Sequence, residues 1–182
     1  EILSAIDKDV AVVSLTQVNY RTGRIYDMAE ISAAATEMGA LSLWDLSHST
    51  GAIPVDLNGA GADLAVGCGY KYLNGGPGAP AYVFVPKRYQ QVIRQPISGW
   101  MGHAEPFEFA GAFRPAPGID CMLSGTPPVI ALALLDCGLD IMIEAGMDAL
   151  RAKSVALSDL FISLIAEHCD GHSLELISPK DV

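Results

Sequence analysis

Residues 10–45 read VAVVSLTQVNYRTGRIYDMAEISAAATEMGALSLWD. Val10–Leu15 is a continuous apolar run rich in β-branched residues. It predicts a strand buried on both faces, as in a parallel sheet. Asn19 to Gly23 breaks the run. Asp27 followed three residues later by Glu30 has the spacing of a helix N-cap and its capping-box partner. Met28, Ile31, Ala34, Ala35 and Met38 keep helical spacing, and Gly39 supplies the stop. Leu41–Trp44 is then a second buried strand, ending at Asp45. Strand, helix, strand at these intervals is the pattern of an α/β domain.

The same pattern extends along the chain. A short helix is expected over Val55–Gly61, a third strand over Asp63–Gly67 and a fourth over Ala81–Val85. Residues 86–126 carry prolines at 86, 96, 106, 115 and 117 and little periodicity. A loop of that length is functional or a subunit contact more often than mere connection. Two helices follow, Pro127–Ala145 and Met147–His168, separated by Gly146. In the first, Asp136, Asp140 and Glu144 fall on one solvated face. In the second, Leu150, Leu157, Leu160, Phe161, Leu164 and Ile165 form an apolar stripe. Leu174–Val182 reads as a strand entering a turn. The expected fold is α/β, a mostly parallel sheet flanked by helices.

Composition narrows the function. The 182 residues carry a formal charge of −10, and 51% of them are apolar. Low charge density with high hydrophobicity excludes disorder, and the acidic balance excludes a nucleic-acid binder working through a basic face. No uncharged run reaches the roughly 18 residues of a membrane span. The apolar excess points to an interface with another subunit or with further parts of the same polypeptide. Cysteines at 68, 121, 137 and 169 have no zinc-site spacing, so no metal is expected. They read as buried, reduced thiols of a cytoplasmic protein. With no initiator Met, the sequence is expected to be truncated at both ends.

Ligands of open α/β sheets bind beyond the carboxyl ends of the strands. Asp45 stands at such an end, His48 follows three residues later, and Lys71 lies just past the third strand. Alone, Asp45 also reads as a turn cap and Lys71 as a solvated amine. Together, a carboxylate and a lysine at neighbouring strand ends suit pyridoxal 5'-phosphate: the carboxylate keeps the ring nitrogen protonated and the lysine forms a Schiff base. Lys71 sits in Gly69-Tyr70-Lys71-Tyr72-Leu73-Asn74-Gly75-Gly76-Pro77-Gly78. In a nucleotide phosphate loop the lysine follows the glycines. Here it precedes them, which excludes that motif.

Three elements, Asp45-Leu46-Ser47-His48, the Tyr70-Lys71-Tyr72-Leu73-Asn74 segment with its glycines, and Gly99-Trp100-Met101-Gly102-His103, resemble the kynureninase family. Gly125-Thr126-Pro127-Pro128 adds a turn that opens a long helix in relatives. That family belongs to the fold-type-I pyridoxal-phosphate enzymes, near the class V aminotransferases and cysteine desulfurases. The resemblance implies a large cofactor-binding domain in 1–145, and in 146–182 a helix leading towards a C-terminal small domain. It also implies a homodimer with shared active sites. The implied activity is hydrolysis of kynurenine, or 3-hydroxykynurenine, to anthranilate or 3-hydroxyanthranilate and alanine, a step of tryptophan catabolism.

Roles carry over residue by residue. Lys71 is implied as the cofactor-bonding and base residue, Asp45 as the ring-nitrogen partner, and Tyr70 as a phosphate ligand and proton relay. His48 is implied near the ring's 3-oxygen or phosphate end, with Thr16 helping to hold the cofactor. Trp100 and Thr126 are implied to reach a phosphate, that of the neighbouring subunit, and His103 to line the substrate pocket. The family's phosphate loop, ring-stacking aromatic and carboxylate-gripping arginine have no counterpart in these residues. Rivals are a desulfurase, with Cys121 as its loop thiol, a class V aminotransferase, and a non-catalytic fragment of such an enzyme.

Overall fold

The computed structural model describes residues 1–169 and 171–179. Four strands form one sheet: β1 (Val12–Thr16), β2 (Leu41–Asp45), β3 (Leu64–Cys68) and β4 (Ala81–Phe84), in the order β1-β2-β3-β4. The first three run parallel, and β4 returns antiparallel to β3. Three helices accompany them: α1 (Met28–Glu37), α2 (Val129–Ala145) and α3 (Met147–His168). Short 3-10 turns occupy Leu3–Ala5, Trp100–Gly102 and Gly118–Met122.

Strand alternation gives the sheet two unlike faces. Leu15, Trp44, Ala65 and Phe84 are paired across the four strands and share one face. There Trp44 and Ala65 join Ile6, Met28, Ile31, Leu46 and Ala62 in the core, with Leu15 and Phe84 packed against them. Helix α1 covers this face. Asp27 caps it as the spacing predicts, accepting a hydrogen bond from the Glu30 amide at 2.9 Å. Trp44, 1% exposed, donates its indole N–H to Ser32 Oγ at 3.0 Å, which fixes the helix on the sheet.

Thr16, Asp45, Val66 and Val83 share the opposite face. Here the structure corrects the sequence reading. The strands are not buried on both faces: Val12 on β1, Val66 on β3 and Val83 on β4 are all exposed. A run of apolar residues reports that both faces are suited to burial; it does not supply the element that covers the second one.

Other expectations are revised as well. Val55–Gly61 is a single turn rather than a helix: the Asp56 carboxylate caps it by accepting the Gly59 amide at 2.8 Å, and Gly61, at a φ of +65°, ends it, with the Ala62 amide donating back to Leu57 O at 3.0 Å. Strand boundaries shift by one or two residues, and the second-last helix begins at Val129. Residues 171–179 contain no strand, and 180–182 lie outside the described residues. Only Cys121 is buried; Cys137 is exposed on α2, and all four thiols are free. The α2 acids are solvated as expected, but Val129, Ile130, Leu134, Ile141 and Ile143 on the same helix are exposed too. The apolar stripe of α3 is also largely uncovered. The break between the two helices falls at Gly146, whose φ of +75° is in the region that favours glycine.

At the amino-terminal edge of the sheet a network unforeseen in the sequence braces the strands. Asp63 Oδ2 accepts the amide and hydroxyl of Ser42 at 2.8 and 3.1 Å. Its Oδ1 accepts Arg88 Nη2 and the Tyr89 hydroxyl, each at 2.9 Å. Burial pushes this carboxyl up, but the hydrogen bonds from Ser42, Arg88 and Tyr89 outweigh it and leave it below its ordinary value.

Candidate active site

Three parallel strands deliver their last residues to one edge. Thr16 and Asp45 are register partners there, on the bare face of the sheet. The Thr16 hydroxyl donates to Val18 O at 2.9 Å and approaches Asp45 O at 3.4 Å. The Gln17 amide donates to Asp45 O at 3.0 Å. Beyond β2, Asp45 Oδ1 accepts the Ser47 amide at 2.8 Å, an Asx turn that redirects the chain. Leu46 is buried, and its amide donates to Val66 O at 2.8 Å. Between them these bonds fix where His48 emerges.

Lys71 arrives from β3 on a loop closed upon itself. The Gly69 amide donates to Pro80 O at 2.9 Å and the Gly75 amide to Gly69 O at 3.0 Å. A Cβ at Gly75 would lie 2.7 Å from Ala79 Cβ, so the loop closes only around a residue without one. The two loops then meet at Gly51, where φ is +86° and a Cβ would stand 2.6 Å from Tyr72 O. The result is a direct contact: Lys71 Nζ lies 3.0 Å from His48 Nε2. The same ammonium sits 5.4 Å from the Tyr70 ring centroid. The His48 ring is also stacked by Tyr20, with centroids 6.0 Å apart.

Asp45, His48, Lys71, Tyr70 and Thr16 are thus brought to one strand edge. Trp100, His103 and Thr126 form a second group. Trp100, in its 3-10 turn, is partly exposed and meets Phe107 edge-on. The adjoining Met101 amide donates to Ser124 O at 3.2 Å, which ties this turn to the segment that carries the exposed Thr126. His103 is buried; its Nδ1 accepts the Glu105 amide at 2.9 Å and its Nε2 lies 3.3 Å from Ala112 O. Both ring nitrogens are engaged within its own loop. No hydrogen bond among the described residues joins this group to Lys71.

Sequence reasoning missed Tyr20, Thr50 and Tyr82. The Thr50 hydroxyl meets the Tyr82 hydroxyl at 2.5 Å. Burial pushes the Tyr82 phenol up, the Thr50 bond opposes that, and Cys68 and Asp45 add to the rise. Tyr82 therefore stays protonated and serves as packing beneath Gly67, whose missing Cβ leaves room for the ring. The signal for it was Gly67 itself, a glycine inside a strand. Cys121, the candidate loop thiol, is buried and donates to Gly118 O at 3.1 Å, which removes it from the surface where a sulfur carrier works.

The sequence matches the family described as aminotransferase class-V over residues 1–176. It is 52% identical over 176 residues to a kynureninase of Burkholderia mallei (strain SAVP1), an alignment covering 97% of this chain and 42% of that protein. It is 50% identical over 181 residues to a kynureninase of Pseudomonas fluorescens, covering 100% of this chain and 44% of that one. The chain therefore spans less than half the length of these relatives. In structure it is similar to an apo cysteine desulfurase from Thermococcus onnurineus NA1, with a TM-score of 0.77 at 18% identity over 91% of this chain and 40% of that one. That likeness concerns the fold, which is that of a fold-type-I enzyme's large domain.

Proposed function

Since the chain belongs to the aminotransferase class-V family, we propose that it is the lysine-bearing part of a pyridoxal-phosphate-dependent kynureninase. The observation that carries this reading is the contact of Lys71 Nζ with His48 Nε2 at 3.0 Å, on the strand edge that also presents Asp45. The identity to kynureninases supports kynurenine, or its 3-hydroxy form, as substrate. The donor set fits the cofactor. A primary amine lies on a loop after β3, and the carboxylate at the end of neighbouring β2 has the Ser47 amide as its only hydrogen-bond donor among the described residues, which leaves acceptor capacity for a ring N–H. The bare sheet face above Asp45 carries small side chains, Thr16 and Val66, that leave room for a planar ring.

When bound, pyridoxal phosphate supplies an aldehyde for the amine and a ring that withdraws electrons from the substrate's α-carbon. Asp45 accepts the ring N–H and holds that proton in place. Lys71 Nζ would hold the cofactor through its aldehyde and, as a free amine, would take the α-proton. His48 orients Nζ for that exchange. The Tyr70 hydroxyl would hydrogen-bond the phosphate and would supply a proton to the substrate carbon. Thr16 secures the turn beside Asp45. Trp100 and Thr126, both exposed, would reach the phosphate held by a second subunit. His103 frames the substrate side of that segment. The protein works as a homodimer, and residues 146–182 lead towards a small domain beyond residues 1–145. Four free thiols suit the reducing cytoplasm. Among the described residues no helix is long and apolar enough to cross a membrane.

The test is reductive trapping in the full-length parent. Borohydride with pyridoxal phosphate should place the label on Lys71 in peptide mapping, and anthranilate fluorescence should report turnover of kynurenine. Label on Lys87 or Lys153 would sink the assignment.

A further inference from the structure

We propose that Tyr20 is a positioning residue that holds the His48 imidazole against Lys71, an inference that rests on the cofactor reading above. Tyr20 is 76% exposed, so burial of its own ring does not explain its place. What surrounds it is a loop built to present it. Val18 and Ile25 form an antiparallel bridge. The Asn19 amide donates to Arg24 O at 2.9 Å, and the Gly23 amide donates to Asn19 O at 2.8 Å. Asn19 Oδ1 accepts the amides of Arg21 and Thr22 at 2.9 and 3.2 Å, so the turn carrying Tyr20 is closed from both sides.

The loop is also referenced to the site rather than only to itself. Its first residue, Gln17, donates its amide to Asp45 O at 3.0 Å, and the Tyr26 amide returns to Gln17 O at 2.9 Å. Tyr20 therefore moves with Asp45. The two rings lie 6.0 Å apart between centroids at 29°, an offset stack within the range in which aromatic pairs attract. His48 is half-buried, and its Nε2 hydrogen bond runs to Lys71. An imidazole with one polar tether and no face contact rotates about its χ2, a broad two-fold torsion. The stack removes that freedom and leaves Nε2 directed at the amine.

Histidine-selective 15N labelling of the full-length parent, with the His48 ring assigned by its loss in a His48→Gln variant, isolates this imidazole. Lys71→Met should displace the His48 Nε2 resonance, because the partner at 3.0 Å is gone. In Tyr20→Leu or Tyr20→Gln chains that displacement should be lost, while Tyr20→Phe, which keeps the ring, should preserve it. His103, engaged within a separate loop, serves as the internal measure of folding; Gln at this exposed position replaces Leu if the His103 resonances move. A displacement of unchanged size in both the Leu and Gln variants overturns the proposal, and so does its absence in the chain with Tyr20 intact. Borohydride trapping on the same variants separates the two ideas. Cofactor trapped on another lysine defeats the cofactor reading, whereas trapping on Lys71 with unchanged coupling defeats only the role of Tyr20.

Discussion

Asp45 and Asp63 stand at opposite edges of the same sheet, and their surroundings differ in kind. Asp63 has both oxygens filled by donors from Ser42, Arg88 and Tyr89. Asp45 has one amide on one oxygen and lies on the uncovered face. A carboxylate whose lone pairs are all taken by its own protein braces structure. One with acceptor capacity left over, at the end of a parallel strand, is available to something not yet bound. The two acids are of one residue type; Asp63 is buried with its acceptor capacity filled, and Asp45 is half-buried with capacity to spare.

Three substitutions and a titration probe that distinction. The largest effect is expected at Lys71, the companion of Asp45. Lys71→Ala should abolish covalent cofactor attachment in the parent enzyme, because a primary amine is required and Tyr70 and Tyr72 cannot replace it. Absorption near the bound-cofactor band and peptide mapping after borohydride check this. Next, Asp45→Asn should leave cofactor binding measurable but lower turnover by orders of magnitude, since the ring nitrogen loses the charge that keeps it protonated. Near-normal turnover of kynurenine in this variant would show that Asp45 is not the ring partner.

Asp63→Asn should do the reverse. Activity of the folded parent should stay close to normal, while stability falls by about 2–3 kcal/mol, the order expected for hydrogen bonds to a buried charged group. Arg88 is half-exposed, which keeps the ion pair's own share small. Urea unfolding and steady-state kinetics on one preparation separate the two effects. The smallest effect is its pH dependence. The folded carboxyl titrates below its ordinary value. Its stabilisation is therefore present above the unfolded value of about 3.9 and disappears as pH falls through the lower folded value. Wild-type and Asp63→Asn unfolding midpoints should converge as acid is added below about pH 4. Convergence on raising the pH instead would contradict the hydrogen-bond account.

Much of this was legible in the sequence because it is written locally. Asp27 and Glu30 announce the start of α1, Gly146 separates α2 from α3, and the apolar runs give all four strands to within one or two residues. Asp45, His48 and Lys71 stood out as polar residues at the ends of apolar strands. The remainder depends on partners distant in sequence. Asp63 finds Ser42 at a separation of 21 residues and Arg88 at 25, and no spacing rule connects them. Val55–Gly61 starts as a helix does, with Asp56 as its cap, yet Gly61 at positive φ closes it after one turn. Cys137 reads as core because helical apolar runs usually are; whether such a face is covered is decided by segments elsewhere.

The antiparallel pairing of β3 with β4 has a consequence for the order of assembly. Strands β3 and β4 are joined through the Lys71 loop, whose closing bond spans only Gly69 to Pro80, whereas β1 reaches β2 across the whole of α1. Closing the shorter loop costs less chain entropy, and contacts near in sequence form sooner than distant ones. The hairpin should therefore nucleate before the parallel crossover docks. The lysine is then held in its bend while Asp45 and Thr16 are still being brought to the same edge, and pulse-labelling hydrogen exchange should find the Gly69 and Gly75 amides protected ahead of the Gln17 amide.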